Sequence, residues 1–415
     1  PLLCAFLFAL GYTVLGPEVW AGHLTAMVMS CALLYLLYRC TRDFYGHEAG
    51  LLAVALLMIQ PVFIAQSNMV LPEVMLALFC TAALHAYLRG WYPLLALYSC
   101  LAIFTKETAV VLPCCFGLPV VLTMLRHGIS RRRIIELLYI AAPLLAWGLF
   151  LVIQRFQNGW FFFPLHTGYV SFAPQDILAR VGYYLSFLFK GQGRIVWTIL
   201  MGGAALLFLI KQRSSIRLGS RSTALAWLTA KEQQPMLISL FYIGMSLVVS
   251  ALNFHLARYI LMAMPALCML LAAQAIYLLK QSGASPWRYL ALLVLLLPLL
   301  SYRGTIFNVD ADMSYLDAVE AQQEIIAELD AVAGPKDIIV ADFPVLHGLV
   351  DPRAGYSATT YEQVIHRCKS PEAASAQYYI FTAPGNLQNC ASVTKPLRLL
   401  KKVKTSQVKM LLYTK

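Results

Sequence analysis

Seven side chains able to do chemistry stand at the edges of apolar runs: Glu73, Lys106, Glu107, His166, His255, Arg258 and Tyr259. They fall in four segments, "QSNMVLPE" (66–73), "TKET" (105–108), "RFQNGWFFFPLHTGYVSFAPQD" (155–176) and "NFHLARYILMAMP" (253–265). A charge near a bilayer centre costs about 2.5–3.5 kcal/mol on the most lenient scale, so each of these groups needs a partner or a place away from the centre. Together their types suit a phosphate-and-sugar site. Lys106 and Arg258 are cations for phosphate oxygens, Glu73 is a carboxylate that orients or activates a sugar hydroxyl, and Tyr259 adds a hydroxyl. Singly, plainer roles exist. Glu73 follows a proline where a helix-start acid is favoured by the macrodipole, and Lys106 can snorkel. Arg258 with Tyr259 suits an interfacial anchor, and His166 and His255 suit ordinary hydrogen bonding. Trp160 to Phe163 suit a lipid interface.

The elements that must position these groups follow from composition. The chain is 60% hydrophobic and 13% charged, with a mean hydropathy of +0.68. Apolar runs of span length recur, which makes it a polytopic helical membrane protein. The formal charge of +12 is then explained by topology rather than by nucleic acid, because Lys and Arg accumulate in cytoplasmic loops. Windows of about 19 residues place ten spans, near 19–38, 49–66, 73–88, 91–105, 108–125, 134–153, 193–210, 235–252, 257–279 and 288–302. Fourteen loop Lys and Arg residues collect on one side, among them Arg42, Arg89, Arg131 to Arg133 and Lys280. That side is cytoplasmic, and Lys106 and Glu107 are extracytoplasmic. The windows 73–88 and 91–105 are short for a hydrocarbon core of about 30 Å, so a polar pocket sunk into the outer leaflet is expected at their outer ends.

Past Tyr302 the character changes. A transmembrane module over 1–303 is expected to give way to an extracytoplasmic α/β tail over 304–415, with a helix near 314–333 and strands near 337–342, 377–384 and 408–414. Eight of the ten cysteines lie in or beside spans, as small apolar residues do. Cys368 and Cys390 lie in the tail and can pair if their compartment is oxidising. No Gly-rich phosphate loop, CxxC or HExxH spacing occurs, so no metal and no cofactor are expected.

The order of "LGPEVWAGHLTAMVMSCALLYLLYRCTRDFYG", "QSNMVLPEVMLALF", "AIFTKETAVVLP" and "ARYILMAMPAL", followed by a soluble tail, resembles the GT-C glycosyltransferases over roughly residues 1–300. The nearer branch is that of the protein O-mannosyltransferase-like enzymes and the lipid A aminoarabinose transferase. The resemblance implies a helical membrane bundle in the cytoplasmic (inner) membrane. It also implies a polyprenyl-phosphate-linked sugar donor, a lipid, glycan or protein acceptor, and inverting transfer on the extracytoplasmic face. Glu73 matches the family's acid after "LP", an auxiliary catalytic position. Lys106 matches its "TKE" lysine and Arg258–Tyr259 its "RY", with Glu107, His166 and His255 as further donor-binding candidates. In such enzymes the main catalytic acid sits in the first outer loop, before a segment ending "PL", so it is expected upstream of Pro1. His23 stands where the family carries Arg, and no arginine follows His166 at the family's distance. The alternatives are a transporter or flippase of a lipid-linked sugar, which calls for mid-membrane polar groups and paired broken helices, and a non-catalytic membrane scaffold.

Overall fold

The computed structural model describes residues 2–163, 167, 170–199, 202–203, 234–253, 256–281, 309–341, 345–351, 356–357, 359–366, 371–383, 397–405 and 408–415. His166, His255, Cys368, Cys390, the expected span 288–302 and residues 200, 201 and 204–210 of the expected span 193–210 lie outside them. The chain divides into two compact units, Pro1–Leu10 with His23–Ala311, and Gly11–Gly22 with Asp312–Lys415.

The first unit is helical. After α1 (Leu2–Leu15) come α2 (Val19–Tyr45), α3 (His47–Met58), α4 (Pro61–Ser67), α5 (Pro72–Arg89), α6 (Tyr92–Thr105), α7 (Val111–His127) and α8 (Arg131–Asn158). Then follow α9 (Pro174–Phe189), α10 (Gln234–Leu252) and α11 (Met264–Gln281). Among the described residues, five helical segments are long and apolar enough to cross a membrane: Val19–Tyr45, Glu107–His127, Arg131–Asn158, Gln234–Leu252 and Ala257–Lys280. The protein is therefore an integral membrane protein, and these five segments match five of the expected spans. The expected spans 73–88 and 91–105 appear as the shorter helices α5 and α6.

The expected span 49–66 is not one helix. Its halves α3 and α4 meet at 74°. Pro61 opens α4, lacking an N–H and disfavouring helix at the residue before it, so Gln60 is extended (φ −70°, ψ 122°). A backbone broken at membrane depth must be satisfied internally. Gln60, fully buried, donates through Nε2 to the Leu56 carbonyl at 2.9 Å. Its Oε1 accepts from Nη1 of Arg194 at 2.6 Å. Arg194, 1% exposed, also donates through Nε to the carbonyls of Phe187 (3.0 Å) and Leu188 (3.1 Å). These are orphan acceptors at the end of α9, where a cation also suits the helix dipole.

Sequence windows leave α9 inside an outer loop, and here the structure corrects them. Ile177, Val181, Tyr184, Phe187 and Leu188 recur at helical spacing and pack into the core. The polar start "PQD" and Arg180 dilute the average that a hydropathy window reads. Arg180 donates through Nη1 to the carbonyls of Leu252 and Asn253 at 3.2 and 2.8 Å, pinning α9 to the end of α10.

At the other end of α5 lies a second set of ion pairs. Asp43 accepts from Arg42 (3.0 Å), His85 (3.0 Å) and Arg89, and Lys280 pairs with Glu48 at 3.2 Å. Cations at the C-terminal turns of α2, α5 and α11 also complement the helix dipoles.

The Asp312–Lys415 part of the second unit, by itself, is an α/β layer. Helix α12 (Tyr315–Val332) and the short α13 (Val345–Val350) accompany β1 (Ile338–Ala341), β2 (Gln363–His366), β3 (Tyr378–Ala383), β4 (Arg398–Lys404) and β5 (Lys409–Thr414). The sheet order is β2-β1-β3-β5-β4. Strand β1 runs parallel to β2 and β3, whereas β5 is antiparallel to β3 and β4. Ile325, Ile326 and Leu329 of α12 pack on Ile339, Ile380, Met410 and Leu412. The helix and three strands match expectation. The two unexpected strands, β2 and β4, are the edges, where short length and lysines mask the apolar pattern and discourage further pairing.

Close approach of α2 and α3 requires Gly50: a Cβ there would sit 2.9 Å from the ring of Tyr38 and 3.1 Å from its carbonyl oxygen. Gly50→Val is expected to cost about 1–3 kcal/mol by overpacking, read as a lower midpoint of thermal unfolding in detergent. An unchanged midpoint would show that the two helices separate freely.

Candidate functional site

Three chain interruptions converge on one carboxylate. Glu73 lies in the first turn of α5 behind Pro72, and its side chain is 2% exposed. Lys106 is the extended residue (φ −158°, ψ 133°) between α6 and the 3-10 turn Glu107–Val110. Arg258 and Tyr259 sit on the 3-10 segment Ala257–Ala263, just before Pro265 in the first turn of α11. A proline there supplies no N–H to the preceding turn, which suits tighter 3-10 winding. Two buried tyrosines hold that segment: Tyr184 donates to the Leu256 carbonyl at 3.2 Å and Tyr242 to that of Met262 at 2.9 Å.

Lys106 Nζ donates to Glu73 Oε1 at 3.0 Å, and Arg258 Nε lies 3.4 Å from the same oxygen. The ammonium also lies 3.6 Å from the centroid of the Tyr259 ring, a cation–π contact. On its far side Arg258 pairs through Nη1 with Asp310 Oδ2. Gln66, 1% exposed, donates through Nε2 to the Asp310 carbonyl at 2.8 Å. Two cations are thus interleaved with two carboxylates. Helix α6 has 14 residues, or about 21 Å against a hydrocarbon core of about 30 Å, which suits a charged cluster set below the level of a full-length span's end.

Of the residues singled out in the sequence, Glu73, Lys106, Arg258 and Tyr259 are brought together. Glu107 heads the adjacent 3-10 turn, partly buried. Phe161, Phe162 and Phe163 are exposed, as an interfacial loop requires. Asp310 and Gln66 were not anticipated. Gln66 opens the segment that ends in Glu73, and Asp310 belongs to "NVDAD", the first acids after the last apolar run; that position was the available signal. Among the described residues, no three His, Cys, Asp or Glu side chains form a metal-ligating group.

The family model described as dolichyl-phosphate-mannose-protein mannosyltransferase matches residues 1–160, a stretch that includes Glu73, Lys106 and Glu107. Among solved structures, the chain is similar to ArnT from Cupriavidus metallidurans bound to undecaprenyl phosphate, with a TM-score of 0.54 at 13% identity, covering 99% of this chain and 87% of that one. It is similar to the same organism's ArnT in the apo state at a TM-score of 0.53, again at 13% identity and the same coverage. No curated protein matches. The fold is thus similar to that of ArnT, a polytopic helical bundle with a small C-terminal α/β region.

Breaking a buried ion pair by removing one partner costs about 3–5 kcal/mol, because the other charge is stranded. Glu73→Gln strands part of two, so a loss of that order is expected, measured as reduced resistance to thermal unfolding in detergent. Wild-type stability would mean that Lys106 and Arg258 do not depend on Glu73 for compensation.

Proposed function

We propose that the chain is a glycosyltransferase that moves a sugar from a polyprenyl-phosphate donor to a lipid, glycan or protein acceptor, with inversion, on the extracytoplasmic face of the cytoplasmic (inner) membrane. The observation that carries this reading is the convergence of Lys106 and Arg258, at 3.0 and 3.4 Å, on one oxygen of the buried Glu73. The family model and the ArnT-like fold support it, and the positive-inside count supports the orientation.

In the proposed step, an acceptor oxygen or amine attacks the anomeric carbon while the bond from that carbon to the phosphate oxygen breaks. Its electron pair leaves with the lipid phosphate, and the acceptor's proton passes to a base. Lys106 and Arg258 meet the charge that develops on the phosphate. Donors fixed in advance lower the barrier because they need no reorganisation at the moment of reaction. Glu73, engaged by both cations, acts as the counter-ion that positions them. Tyr259 holds the ammonium of Lys106 from below, while Glu107, His166 and His255 complete the proposed donor-binding set.

A transporter of a lipid-linked sugar is the second reading, favoured by the broken helix pair α3 and α4. It calls for paired breaks, whereas one broken span of this kind occurs among the described residues. The deciding experiment uses the full-length protein in membranes with a radiolabelled polyprenyl-phosphate sugar and a mixed pool of glycolipid and protein acceptors. Label is expected to enter an acceptor, and Lys106→Ala or Arg258→Ala is expected to cut turnover by about 10²–10³, the range for removing a preorganised donor, with insertion intact. Wild-type turnover in both variants would sink the phosphate role. Donor crossing the membrane without transfer would favour the transporter.

A further inference from the structure

Resting on the reading of this site as one for a lipid phosphate, we infer that Asp310 occupies the phosphate's place on Arg258. Donor binding would then exchange one anion for another and loosen the turn that carries Asp310. A guanidinium presents a planar fork that fits a carboxylate and a phosphate by the same hydrogen-bond geometry. In this structure the fork of Arg258 is already shared, Nε facing Glu73 and Nη1 engaged with Asp310.

Charge balance turns that sharing into a requirement. Among the described residues, Lys106 and Arg258 face Glu73 and Asp310, so a phosphate added to the intact cluster would bring further negative charge beside both carboxylates. Burying uncompensated charge is costly, so a carboxylate must give way.

The two carboxylates differ in how readily they can. Glu73 is 2% exposed, lies within the first turn of an 18-residue helix and faces both cations. Asp310 is 23% exposed and lies on a three-residue 3-10 turn, Val309–Ala311. Asp310 is the more exposed carboxylate and sits on the shorter element, whereas moving Glu73 unseats a helix end and both cations, so Asp310 is the more readily exchanged anion. The turn rests on Gln66 in the last turn of α4 through the hydrogen bond to the Asp310 carbonyl. Release of the carboxylate is therefore felt by the short arm of the broken helix.

Asp310 is in these terms a positioning residue. Its carboxylate pairs with Arg258 in this structure, and donor binding would displace it. This makes a prediction of opposite sign to that of a plain structural ion pair. With the chain in detergent and undecaprenyl phosphate as the probe, Asp310→Asn, which keeps shape but removes charge, is expected to bind about tenfold more tightly than wild type, within the usual range of coupling between competing states. In the wild type, backbone amide exchange over 309–311 is expected to rise when undecaprenyl phosphate is added; this second reading needs no variant. Lys106→Ala serves as the control and is expected to weaken binding.

Unchanged or weaker binding by Asp310→Asn, with unchanged exchange in the wild type, would overturn the anion swap. If Lys106→Ala still weakens binding in that case, the phosphate site itself stands. If Lys106→Ala binds as wild type does, the site reading falls and the swap falls with it.

Discussion

The carboxylate of Glu73 is the point on which the membrane unit's polar chemistry turns. It is buried at 2% exposure, and burying an isolated charge is costly. Its persistence depends on Lys106 and Arg258 arriving from two other segments. The start of α5, the break after α6 and the 3-10 entry to α11 are therefore tied together by one electrostatic requirement. The same requirement gives the proposed site two cations held in place before any ligand arrives.

Interrupted helices carry the polar groups of the candidate site and of the α3–α4 junction. Lys106 occupies the break between α6 and α7, Arg258 and Tyr259 the tight turn before α11, and Gln60 the 74° junction of α3 and α4. Lipid offers no hydrogen bonds, so every interruption needs an internal partner. Arg194 meets that need at the α3–α4 junction by reaching Gln60 and the last carbonyls of α9. Buried arginine here is structural cement between two helix ends, whereas the more open Arg258 is shared between carboxylates. The difference shows why an intramembrane cation must be judged by its partners as well as by its depth.

Much of this was legible in the chain because the bilayer imposes long, simple patterns. The strong apolar windows fall on α2, α7, α8, α10 and α11, and the residues Glu73, Lys106, Arg258 and Tyr259 stand out as polar groups at the margins of oily runs. The failures have equally physical causes. Pro61 and Gln60 break a window whose average hydropathy is unaffected by a bend. Helix α9 carries a polar first turn and a basic residue that an average conceals. Edge strands β2 and β4 lack a buried apolar alternation because edges are partly open to water. Asp310 escaped because its partner lies 52 residues earlier in the chain.

By itself the sequence determined that the protein is an integral membrane chain with a small α/β region after its spans, and which few ionisable residues were candidates for chemistry. Hydrophobic burial depends on residue type and periodicity, which are local and can be read in order. The tertiary structure decided that Lys106 and Arg258 share one oxygen of Glu73, that Tyr259 lies against the ammonium, and that Asp310 and Gln66 join them. Those are contacts among segments far apart in sequence, fixed by helix breaks and charge compensation. Coulombic pairing depends on distance in space, which no order of residues along a chain specifies.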